Sequence, residues 1–203
     1  HQQEGRVGFF NAGVSETLVP DDVRVIDMFD KIFQGTYSGG NLSNAIRSRG
    51  GRGQVLWCGI RDVQQVIDIA DLTTYYRGND PTGIGDVTLV GLNTHCRIGN
   101  AICMPGDIVL GDAAGILFVP PHLAEECCER AERIQLREIF QFQRIHEGVY
   151  NSHQMDSAWT PEIEADFHAW RQTSTPQGYQ HLVWEEDQKA ADQKTSAQSG
   201  TLL

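Results

Sequence analysis

An arginine and an aspartate stand side by side in Cys58-Gly59-Ile60-Arg61-Asp62, where a short apolar run (54–58) gives way to a helical pattern. In open α/β sheets ligands gather at the carboxyl ends of strands, so this junction is the first place to look for chemistry. Arg61 offers a permanently charged fork for a carboxylate or a developing enolate oxygen. Asp62 offers a hard oxygen ligand of the kind Mg²⁺ takes, one or two carboxylates with several waters retained. A second reading of the same residues stays open. Asp62 followed by Gln65 is a variant capping box, which does no more than start a helix.

A further candidate is Ser38-Gly39-Gly40-Asn41-Leu42, a glycine pair running into a helix. Free N–H groups at a helix N-terminus, with the helix dipole behind them, attract anions; two glycines also make an ordinary turn with no ligand at all. The segment matches neither a Walker loop nor G-x-G-x-x-G. Other candidates are weaker. Cys58 has the chemistry of a nucleophile but sits in an apolar strand, His95-Cys96 is a lone pair of metal-type ligands, and Glu125, Glu126 and Glu129 read as a solvated helix face.

These residues need elements to hold them. Residues 23–28 read as a strand in which charges interrupt the apolar residues. Residues 41–47 read as a helix closed by Gly50, 54–58 as a buried strand, and 63–70 as a helix with apolar residues at 63, 66, 67 and 70. The alternation implies an α/β core with parallel pairing. Short strands follow at 73–77, 86–92, 108–110 and 115–119. A long helix spans about 122–147, its apolar stripe made by Leu123, Cys127, Ala131, Ile134, Ile139 and Phe142. Thr160-Pro161 opens another helix at 162–171. From residue 185 the chain is polar and is expected to be disordered.

The 203 residues suit one α/β core over 1–120, a C-terminal helical arm over 121–184 and a tail over 185–203. Sixteen basic residues against 27 acidic ones give a net charge of −11, which disfavours a non-specific nucleic-acid binder. No apolar run reaches the roughly 20 residues of a membrane span. Five cysteines without a C-x-x-C pair signal neither a disulfide framework nor a zinc knuckle, so a reduced, cytoplasmic protein is the expectation. A start at His1 reads as a chain whose N-terminal part is missing.

Twenty residues separate Gly40 from Arg61, and with this spacing the sequence resembles a known family. These are the RraA-like proteins (regulators of RNase E activity) and the 4-hydroxy-4-methyl-2-oxoglutarate / 4-carboxy-4-hydroxy-2-oxoadipate aldolases. The resemblance also rests on Arg49-Gly50, Tyr76-Arg77-Gly78, the block from Pro105 to Asp112, Gly115 to Pro120, and Trp159 to Phe167. It implies a swivelling β/β/α-type domain with a C-terminal helical extension, assembled as homotrimers or homohexamers with sites at subunit interfaces. It implies Mg²⁺ or Mn²⁺ at Asp62, enolate stabilisation by Arg61, and a small anionic substrate whose carboxylate lies against Gly39, Gly40, Asn41 and Leu42. It further implies that Glu162 or Glu164 could act in a neighbouring subunit's site. The activity expected is a metal-dependent aldolase or decarboxylase-like lyase on a small 2-oxo or hydroxy acid. The alternatives are a non-catalytic regulator or scaffold, or a biosynthetic enzyme with diverged chemistry. Where the aldolases carry carboxylates, this chain has Gly40 and Gln65, leaving Asp27, Asp30 and Asp80 as substitutes. Regulator-type members can lack the aspartate of the pair, so the retention of Asp62 favours the enzyme.

Overall fold

The computed structural model describes residues 10–184, so the expectations for the start of the chain and for 185–203 lie outside the described residues. The chain divides into two compact units, His1–His122 and Leu123–Leu203.

The first unit is built on a parallel sheet centred on β3 (Gly53–Ile60). Strand β1 (Val23–Asp27) pairs with its first half, from Val23 opposite Gly53 to Asp27 opposite Trp57. Strand β2 (Thr36–Ser38) pairs with its end, Ser38 opposite Ile60. Strand β4 (Thr73–Asn79) pairs with the same residues of β3, so it occupies the other edge while β1 and β2 follow one another along the first. A strand covered on both faces is a continuous apolar run; in β3 only Trp57 is less than fully buried. Helix α1 (Phe10–Glu16) precedes the sheet, α2 (Gly40–Ser48) follows β2, and α3 (Val63–Ile67) follows β3. Met28, Tyr37, Leu56, Cys58, Ile60 and Val66 form the core. Helix α2 ends as its sequence predicts, with Gly50 at φ +82° supplying the left-handed residue.

Two antiparallel hairpins complete this unit: β5 (Cys96–Ile98) with β6 (Ala101–Cys103), and β7 (Ile108–Gly111) with β8 (Ile116–Val119). The first was not anticipated. The strand expected at 86–92 does not form. Its apolar side chains find no partner strand, Val90 being 92% exposed, and the segment is bracketed by left-handed Asp86 and Asn93. Helix α3 stops at Ile67, three residues short of the periodicity.

In the second unit, α4 (Ala124–His146), α5 (Ser152–Asp156) and α6 (Pro161–Ser174) surround Leu136, Phe140, Met155, Ile163, Phe167 and Trp170. Pro161 takes the first helical position, as expected, and Asn151 with Gln154 forms a true capping box on α5. The anticipated stripe on α4 is not its buried face: Cys127, Ala131, Ile134 and Phe142 are exposed. The inward face is Leu136 and Phe140, flanked by arginine stems that lie over aromatic rings. Arg137 lies 3.7 Å from the centroid of Trp159, and Arg144 also forks onto Asp166 at 2.7 and 2.8 Å.

Candidate functional site

Parallel pairing of β2 with β3 brings the ends of both strands to one place, and each runs directly into a helix. The Arg61 N–H donates to Ser38 O at 3.1 Å, and the Arg61 guanidinium returns to Thr36 O at 3.0 Å. Arg61 is thereby laid across the Gly39-Gly40 turn. A Cβ on Gly39 would meet Asp62 Oδ2 at 2.5 Å and Arg61 Cγ at 2.9 Å. Glycine at this position is what allows the pair to sit over the turn.

Asp62 precedes α3, yet it does not cap it. Its backbone is left-handed (φ 53°, ψ 40°) and its side chain makes no bond to the helix, so the capping-box reading is corrected. Aspartate tolerates this conformation better than most residues, and the turn it makes aims the carboxylate back at α2. There Oδ2 accepts the Gly40 N–H at 3.2 Å and stands 3.7 Å from Arg61 Nε. The other oxygen, Oδ1, has no hydrogen-bond partner among the described residues. Both side chains are partly exposed, 32% for Arg61 and 41% for Asp62. The site is therefore open to a ligand.

The cradle expected from Gly40 to Leu42 is narrower than anticipated, because Asp62 already takes the Gly40 N–H. Asn41 and Leu42 remain in the first turn of α2, which has no side-chain cap. The amide oxygen of Gln65 lies against Gly40, 2.1 Å from where a Cβ would stand. An exposed, neutral amide thus fills the space above Gly40. Asp27, Asp30 and Asp80 are engaged elsewhere, by the Phe29 and Arg97 N–H groups, by Arg77, and by Thr82 respectively. The Arg77 guanidinium holds Asp30 below the usual carboxylate range. Cys58 is sealed, and burial pushes its thiol up to about 12, the opposite of what a nucleophile needs.

Beneath the turn lies a feature the sequence did not announce. Arg24 is 2% exposed and donates to Ser15 Oγ at 2.5 Å, Ser38 Oγ at 2.9 Å and Gln54 Oε1 at 2.5 Å. Gln54 in turn donates to Ser43 Oγ at 2.9 Å, on α2. Among the described residues no carboxylate joins this network, and burial lowers the arginine to about 10. The only signal was a charge inside the apolar strand Val23-Arg24-Val25-Ile26.

The donor set can be tested against a metal. Among the described residues no three His, Cys, Asp or Glu side chains converge, so an ion caged by protein ligands does not fit, His95-Cys96 included. A hydrated Mg²⁺ or Mn²⁺, which takes one carboxylate and keeps its waters, is compatible with the chemistry of Asp62 Oδ1.

The sequence profile of the RraA-like family (Aldolase/RraA) matches residues 10–118, which contain the whole site. The chain belongs to the RraA-like family. This family includes metal-dependent aldolases and non-catalytic RNase E inhibitors, and its members are generally oligomeric. Among solved structures, RraAS2 of Streptomyces coelicolor, an unusual member of the RNase ES inhibitor RraA family, is 26% identical. It has a TM-score of 0.63, with 68% of this chain and 70% of that one covered. A structure described under novel cellulases from microbes associated with the gut ecosystem is also 26% identical, with a TM-score of 0.60 over 66% of this chain. This RraA-like chain spans 60% of that protein's length. An uncharacterized protein from Pseudomonas syringae pv. tomato str. DC3000, 22% identical, shares the fold with a TM-score of 0.65 over 72% of this chain and 68% of that one. The expected α/β fold with C-terminal helices is the one observed. Among the described residues no helix is long and apolar enough to cross a membrane.

Proposed function

We propose that Arg61, Asp62 and the first turn of α2 form the site of a divalent-metal-dependent lyase, aldolase or decarboxylase-like, acting on a small 2-oxo or hydroxy acid. The observation that carries this reading is the Asp62 carboxylate, turned off its own helix and onto the Gly39-Gly40 turn beside Arg61. Mg²⁺ or Mn²⁺ on Asp62 would supply Lewis-acid charge to the substrate's oxygens. Arg61, braced on Thr36 O, holds its fork toward the negative charge that develops on the 2-oxo acid as the carbon–carbon bond breaks. The Asn41 and Leu42 N–H groups receive the substrate carboxylate, and Gly39 keeps the floor of the site low enough for Arg61 and Asp62 to reach it. A groove of about 290 Å³ between α3 and β4, lined by Ile60, Val63, Val66, Leu72, Thr74 and Tyr76, would suit a substrate's uncharged end.

Gly40 and Gln65 carry no proton-transfer group. A retro-aldol step needs a base on the hydroxyl, whereas decarboxylation does not, so decarboxylation is the chemistry this residue set serves better. The same reading has the protein in the cytoplasm as a homotrimer or homohexamer, the helices beyond residue 120 forming an intersubunit arm, with no nucleic-acid partner. A regulator or scaffold is the second reading, favoured by the single carboxylate at the site.

Calorimetry with Mn²⁺ and oxalate, together with a pyruvate-release assay, separates the two. The lyase reading expects Mn²⁺-dependent oxalate binding that Asp62→Asn weakens at least about tenfold, with the circular dichroism spectrum unchanged. Wild-type turnover in Asp62→Asn removes the assigned site. Absence of any Mn²⁺-dependent binding by the unaltered chain leaves the regulator.

A further inference from the structure

Across the β5–β6 hairpin, Cys96 stands directly opposite Cys103 in the antiparallel register. They are the first residue of β5 and the last of β6, so they lie at the open end of the ladder, where no further strand pairing fixes the separation. Side chains directly opposite in such a ladder have Cβ atoms about 4.5–5.5 Å apart, and a disulfide needs about 3.5–4.5 Å. A small approach at a free end closes that gap. The two thiols donate to backbone carbonyls, Cys103 to Met104 O at 3.7 Å. They differ in access: Cys103 is 6% exposed, whereas Cys96 is only half-buried and donates to Val25 O at 3.8 Å.

The other cysteines lack this arrangement. Cys58 is fully buried. Cys127 and Cys128 are consecutive on α4, where the helix turns neighbouring side chains about 100° apart.

We infer that Cys96 and Cys103 form a reversible dithiol–disulfide site, oxidised by a small-molecule disulfide such as glutathione disulfide. The more accessible Cys96 loses its proton and attacks one sulfur of the oxidant. A Cys96–glutathione bond forms, the oxidant's S–S bond breaks, and one glutathione leaves. Cys103 then loses its proton and attacks the Cys96 sulfur, expelling the second glutathione. Two protein thiols are oxidised and one disulfide is reduced to two thiols. Burial holds both thiols above the usual range, so the exchange is slow at neutral pH and quickens as pH rises. The bond ties the open end of the hairpin where it meets β1 through the Arg97 N–H on Asp27, and it removes the proton that Cys96 donates to Val25 O.

The test uses the chain carrying Cys127→Ser and Cys128→Ser, which leaves three thiols. The folded protein is incubated with glutathione disulfide at mildly alkaline pH, quenched in acid, denatured and labelled with N-ethylmaleimide. The expected product takes one label rather than three and returns to three after dithiothreitol. Trypsin cuts after Arg97, between the two cysteines, so the peptide ending at Arg97 is found joined to the one beginning at Ile98. Cys103→Ser should stop the reaction at a glutathione adduct on Cys96. Three labels after oxidation, a stable glutathione adduct on Cys96 with Cys103 present, or a bond to Cys58 each overturn the assignment.

Discussion

The same substitution at three glycines of the first unit should have three different outcomes, and the differences follow from what a new Cβ would touch. At Gly35 it would stand 2.1 Å from Lys31 O and 2.5 Å from Lys31 C. This is backbone that cannot swing aside, so Gly35→Ala should cost at least about 3 kcal/mol. At Gly40 the nearest atom is the end of the exposed Gln65 side chain, which can rotate away. Alanine in place of a helical glycine gains about 0.5–1 kcal/mol, so Gly40→Ala should be neutral or slightly stabilising. At Gly39 the three atoms nearest the Cβ would be Asp62 Oδ2 and two of the Arg61 side chain. The fold survives, at a cost of about 2 kcal/mol from a poorer N-cap residue and the loss of the Gly40–Asp62 bond, but the pair is pushed off the turn. Urea unfolding gives the stabilities, and amide hydrogen exchange at Gly40 reports the seat of Asp62 whether or not a metal binds. Gly39→Ala should unprotect that amide and lose Mn²⁺-dependent oxalate binding; Gly40→Ala should keep both. A Gly40 amide still protected in Gly39→Ala would refute the placement of Asp62 over the turn.

Arg24→Met should change stability by no more than about 1 kcal/mol. Removing an uncompensated buried cation offsets the acceptor left unsatisfied on Gln54, whereas Arg24→Ala adds lost packing against Tyr37 and should cost about 2–4 kcal/mol by urea unfolding. Alkaline pH should destabilise the first unit through Cys58, whose thiol burial pushes up to about 12 from an ordinary 9. Between those values the unfolded chain releases a proton that the folded chain keeps, so the stability is full below pH 9 and falls as pH rises. About 2 kcal/mol is lost by pH 10.5, and Cys58→Ala should abolish that part of the slope. Phe140→Ala should destabilise the second unit by about 3–5 kcal/mol. The ring lies 5.2–5.6 Å from those of Phe167, Trp159 and Trp170, so tryptophan fluorescence follows its unfolding directly.

Strands β1, β3, β4, β7 and β8 and helices α2, α4 and α6 were legible because each shows its period within its own residues. What the sequence hid is what depends on a partner. The run 86–92 has strand-type residues but no neighbour to pair with. The β5–β6 hairpin has strands of three residues, too short for a pattern, although Gly99-Asn100, with Gly99 at φ +60°, is the kind of two-residue turn that marks one. On α4, counting apolar residues selected the wrong face. The buried side owes its cover to the stems of Arg137 and Arg144 over aromatic rings, and a hydrophobicity pattern reads those residues as solvent-facing.

The site divides along the same line. That Arg61-Asp62 and Gly39-Gly40 belong together was legible, because a helix and a strand of the right length between them return the chain to the same end of the sheet. The conformation of Asp62 was not legible. An aspartate before a helix satisfies the capping pattern whichever way its carboxylate turns, and only a competing donor decides the matter. That donor is the Gly40 N–H, supplied by a different helix and available only because β2 pairs beside β3. The carboxylate is thus held by the tertiary fold and not by its own helix. A residue held in this way can keep a left-handed backbone without a role in capping, and conformations of this kind collect where function requires them.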